Sequence, residues 1–74
     1  MFKHPDAEAV SVKREIEGSG SRTVLVVRTK LPLWPMHAEY DDAKIVQLEA
    51  AARTFIARNK IDGISLVSAT DLDI

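Results

Sequence analysis

Arg22-Thr-Val-Leu-Val-Val-Arg-Thr-Lys-Leu31 constrains the fold more than any other stretch. It is rich in β-branched residues, contains neither Gly nor Pro, and has four apolar residues in a row at its centre. Such a run suits a strand packed on both faces. We therefore expect a strand over 22–31 in a central place, with the other elements arranged around it.

The stretch before it alternates. Over 9–17, Val10, Val12 and Ile16 fall on one side, while Ser11, Lys13, Glu15 and Glu17 fall on the other, as in a half-buried strand. Arg14 interrupts the apolar side and reads as a rim residue whose stem packs while its head reaches water. Gly18-Ser19-Gly20-Ser21 between the two runs signals a hairpin. A turn centred on Ser19-Gly20 would set Glu17 opposite Arg22, Val12 opposite Val27 and Arg14 opposite Leu25. Val10, Val12, Ile16, Leu25 and Val27 would then share one core face. The glycines lack the strand-to-helix setting of a phosphate-binding loop.

Residues 1–8, with Pro5, read as a loose arm. Residues 32–40 form a loop stiffened by Pro32 and Pro35 and carrying Trp34, Met36, His37 and Tyr40. Asp41-Asp42 then caps a helix within 42–60, running from about Ala43 to Asn59. Its apolar face is Ile45, Leu48, Ala52, Phe55 and Ile56. Gly63 is expected to be the left-handed residue that ends the connection. A third strand spans 64–70, with Ile64 and Leu66 on one side and Val67 and Ala69 on the other. The alternation continues through Leu72 and Ile74. The fold class is α+β in ββαβ order: a three-stranded sheet with one helix on one face. The third strand lies beside the second, in parallel through a right-handed crossover, or beside the first. The apolar centre of the second strand favours the former.

Seventy-four residues make one small domain with a marginal core. Such domains lean on disulfides, metals or partner subunits. With no Cys in the chain, disulfides, thiolate metal sites and thiol catalysis are excluded. No apolar run approaches the ~20 residues of a membrane span, and the N-terminus shows no secretion signal. A complete small cytoplasmic product is the expectation.

The formal net charge is −1, but it is unevenly spread. Between Val10 and Lys30, five basic residues face Glu15 and Glu17 alone, whereas from Leu31 onward four face seven acidic ones. Lys13, Arg22, Arg28 and Lys30 could line a basic sheet face and contact nucleic acid weakly. Sheet-face RNA binders place aromatic residues where this chain has Ser11, Val24 and Val26, which argues against that use. His37 has acidic neighbours but no second His at metal-ligand spacing, and His4 lies in the arm. No constellation supports catalysis, a metal or a cofactor, so the chain reads as a non-enzyme.

The surfaces left over point to protein binding. One helix covers one sheet face, leaving Val24, Val26 and Val67 as an apolar strip beside Arg28. The stiffened loop offers Trp34, Met36 and Tyr40, residue types common at interface hot spots. Trp34 serves either as a lid over the core or as a contact residue. In size and element order the chain resembles the small inhibitor proteins of bacteriophages, including CRISPR inhibitors and inhibitors of host polymerase. That resemblance is of architecture and implies an occluding or bridging role. The alternative is a homodimer built through the open sheet face or the third strand's edge.

Overall fold

The computed structural model describes residues 2–69. It contains a three-stranded mixed sheet and one helix, in the order β1 (Ala7–Glu17), β2 (Gly20–Thr29), α1 (Asp42–Asn59) and β3 (Gly63–Ser68). This is the expected α+β architecture. The β-branched run forms the centre: the sheet order is β1-β2-β3, with β1 antiparallel and β3 parallel to β2. Any continuation of the third strand past Ala69 lies outside the described residues.

The helix-facing core consists of Leu25, Val27, Leu48 and Ala52, all with no solvent exposure. Val10, Ile64 and Leu66 flank them from the neighbouring strands, and Phe55 and Ile56 from the helix. Asp41 caps α1 by accepting from the Lys44 N–H at 3.3 Å. Asp42 in the first turn and Arg58 in the last suit the helix dipole.

Four expectations need correction. First, the hairpin turn is Gly18-Ser19, two residues, with Glu17 paired to Gly20. Gly18 has φ +55°, Ser19 does not have positive φ, and that is the pattern of a type II′ turn. The register therefore moves by two residues: Val12 faces Leu25, Val10 faces Val27 and Arg14 faces Thr23. A two-residue shift keeps every side chain on its expected face. It also pushes the far end of β1 past the helix. Val12 is 47% exposed and Ile16 80%, so the predicted core face ends near Val10.

Second, Gly63 is the first residue of β3, and the left-handed residue is Lys60, at φ 56°. The Ile56 carbonyl accepts from both Lys60 and Ile61 N–H, so the chain must reverse directly after Asn59. Asp62 then anchors the start of β3: its N–H donates to the Thr23 carbonyl at 2.9 Å, and its carboxylate accepts from the Thr23 N–H at 2.7 Å. A residue fixed to β2 on both its backbone and its side chain sets the parallel register.

Third, residues 1–8 are not a loose arm over the described part. Phe2 is 8% exposed, belongs to the core cluster and meets Phe55 with ring centroids 5.6 Å apart. Fourth, Val24 on the open sheet face is only 5% exposed. Arg22, two residues earlier on the same side, lays its guanidinium over Gly63, directly beside Val24. Gly63 has no Cβ to obstruct it, which is the reason a glycine suits that position.

Candidate interaction surface

The loop between β2 and α1 is built from two consecutive turns. The Trp34 carbonyl accepts from the His37 N–H at 3.0 Å, with Pro35 at the second position, where its fixed φ suits a turn. The His37 carbonyl then accepts from the Tyr40 N–H at 3.1 Å. The His37 ring takes part in this second turn: Nδ1 accepts from the Glu39 N–H at 3.0 Å. That lone pair is spent on the backbone, and no group of three potential metal ligands occurs among the described residues.

Pro32 is buried and anchors the loop to the domain, while Trp34 and Met36 project outward at 53% and 78% exposure. Trp34 is therefore not a closed lid. Tyr40 is half-buried, and its hydroxyl donates to Asp42 Oδ1 at 3.1 Å. That hydrogen bond, then desolvation, then the Asp42 charge, hold the phenol above its ordinary pKa. The neutral phenol makes the contact, so its stabilising effect is complete below about pH 10 and disappears as pH rises through the elevated folded value. The chain has one Tyr, so an ultraviolet absorbance titration reads it directly. We expect a midpoint above that of free tyrosine, returning toward it in Asp42→Ala. A wild-type midpoint at or below the free value would refute the contact.

The open sheet face offers less than expected. With Val24 buried, its apolar part reduces to Val26 and Val67, both half-buried, beside Ser65. Two of the basic residues on this side, Arg22 and Arg28, also have partners. Arg22 lies on Gly63, and Arg28 Nε is 3.7 Å from Glu8 Oε2. The register irregularity between Ala7 and Ala9 places Glu8 beside Arg28. No aromatic residue stands on this face in β1, β2 or β3. Lys13 and Lys30 are exposed.

Among the described residues, two surface depressions can be compared, and neither lining brings together a catalytic constellation. One, of about 430 Å³, is open and lined by Phe2, Lys3, His4 and β1 residues from Ala7 to Val10. The other lies along α1 between Val46, Glu49, Ala50 and Arg53. There the Arg53 guanidinium is bonded to Glu49 Oε1 at 2.7 and 2.9 Å. No helix is long and apolar enough to cross a membrane among the described residues.

The outer edge of β1 is a feature that the sequence pattern did not single out. Eleven residues long and exposed over most of its length, it has no strand beyond it among the described residues. Arg14 amid apolar residues was the available signal that this half of the strand leaves the core. Comparison with family models, with curated proteins and with solved structures returns no match.

Proposed function

We propose that this protein is a non-enzymatic binding module that occludes or bridges a protein partner through the Trp34 loop. The observation that carries the reading is the pairing of exposed Trp34 and Met36 with a backbone held by two hydrogen-bonded turns and two prolines. Large apolar side chains on a stiff loop bind at low entropic cost, because little order remains to be imposed. Tyr40 steadies the loop from behind through Asp42. Val26, Val67 and Arg28 form a lesser, flatter second surface. A nucleic-acid role through Lys13, Arg22, Arg28 and Lys30 has less support, because Arg22 and Arg28 are already occupied and no stacking aromatic accompanies them.

The chain's one Trp is a built-in probe of this reading. Its emission is expected to move to shorter wavelength when a purified partner covers it. Trp34→Ala combined with Met36→Ala should weaken that partner at least about 100-fold, since two hot-spot truncations remove roughly 3 kcal/mol or more. Far-UV circular dichroism should be unchanged. If Trp34→Ala with Val26→Glu left both fold and partner binding intact, the proposal would be abandoned.

A further inference from the structure

The outer edge of β1 has no strand beyond it among the described residues. The two-residue turn makes Glu17 and Gly20 a doubly hydrogen-bonded pair. Counting back from it, Glu15, Lys13 and Ser11 spend their backbone groups on β2. Val12, Arg14 and Ile16 therefore present N–H and C=O along the free edge. On the helix side of the sheet, Val12 and Ile16 lie exposed beyond the core. On the other side stand Lys13 and Glu15, neither in an ion pair among the described residues.

The geometry points to a two-fold antiparallel pairing of β1 with β1 of a second copy, centred on Arg14. In that register Val12 meets Ile16 of the other copy, and Lys13 meets Glu15, each contact occurring twice. The free backbone groups of residues 12, 14 and 16 all find partners, and a continuous six-stranded sheet results. Shifting by two residues either way breaks the match: one direction sets Lys13 against Lys13, the other Glu15 against Glu15. A closed dimer requires a self-complementary patch, and β1 supplies both the apolar and the charged complement. The two helices lie on the same side of the joined sheet, and the paired valines and isoleucines fill the space below and between them. The cost falls on Arg14, which faces its own copy at the axis. Its long stem covers the neighbouring apolar pairs while its head reaches water. This pairing uses neither Trp34 nor Val26 and stands apart from the loop's role.

Sedimentation or light scattering over a dilution series tests it. Wild type is expected at the mass of two chains, dissociating on dilution. Lys13→Glu and Glu15→Lys, each alone, should raise the dissociation constant about tenfold or more, because like charges then face each other twice. Mixed in equal amounts, those two variants should regain the two-chain mass, since opposite charges meet again across the axis. Arg14→Gln should tighten the dimer by removing the like-charge pair, an effect only this register predicts. A wild type of single-chain mass at every concentration would overturn the proposal. So would a dimer indifferent to Lys13→Glu and Glu15→Lys, which would then use another surface.

Discussion

Leu25→Ala is expected to lower the free energy of unfolding by about 3 kcal/mol. Ile16→Ala, on the same face of the same hairpin, should change it by less than about 0.5 kcal/mol. Leu25 has no exposed surface, lies between Val12 and Ile64 on the adjoining strands, and belongs to one core cluster with Leu48 and Ala52. The central strand is pinned by hydrogen bonds on both sides, so the sheet has little freedom to close the cavity. A chain of this length has about 4–11 kcal/mol of stability in total. The Leu25 change therefore removes a quarter or more of it. Ile16 is 80% exposed and leaves no cavity. Urea unfolding followed by far-UV circular dichroism reads both losses. Fluorescence is less suited, because Trp34 is half in water already. The measurement belongs at high dilution, where association of β1 edges adds nothing to apparent stability. Equal losses at the two positions would mean that the hairpin tip packs against something other than solvent.

That contrast also shows how far the sequence could be read. Alternation told which side of the sheet Ile16 and Leu25 face, because that depends only on parity. It could not tell how far along the strand the core extends. That depends on whether Gly18-Ser19 or Ser19-Gly20 makes the turn, and both dipeptides contain a glycine able to take positive φ. The start and the apolar face of the helix were legible, because capping by Asp41 or Asp42 and 3.6-residue periodicity are local, whereas its left-handed end at Lys60 was not. The apolar character of β2 favoured a place for β3 beside it but left the edge of β1 open as the alternative, which the parallel pairing of β2 with β3 decides. The roles of Gly63 and Phe2 were not legible. One is set by the Arg22 side chain arriving from a strand 41 positions earlier in the chain, the other by Phe55 on the helix. Such long-range contacts leave no local pattern. The Trp34 loop was recognised by composition, and its exposure emerged only once buried Pro32 had fixed its base.

Thr29→Val should cost about 1–3 kcal/mol and at the same time release the N-terminal segment. Thr29 is fully buried, and its hydroxyl works in two directions. Oγ1 donates to the Asp6 carbonyl at 2.7 Å and accepts from the Leu31 N–H at 3.1 Å. Its own carbonyl accepts from the Ala69 N–H, just past β3. One side chain thus joins the N-terminal segment to the exit of β2. Valine matches threonine in shape, so packing is preserved while the Leu31 N–H loses its acceptor. The Asp6 carbonyl keeps one donor, the Lys30 N–H at 3.2 Å, which confines the loss to the lower part of that range. Phe2 reaches its place against Phe55 only if the segment through Asp6 is docked. Phe2→Ala and Thr29→Val should therefore be less than additive: once either has freed the segment, the other removes little more. A double-mutant cycle on urea unfolding measures this. Strict additivity would mean that Phe2 and Thr29 hold the chain independently, with the Asp6 bond passive. Amide exchange at Ala7 gives a second view. Its N–H donates to the His4 carbonyl at 3.0 Å, and protection there should fall in Thr29→Val well before protection in α1 does.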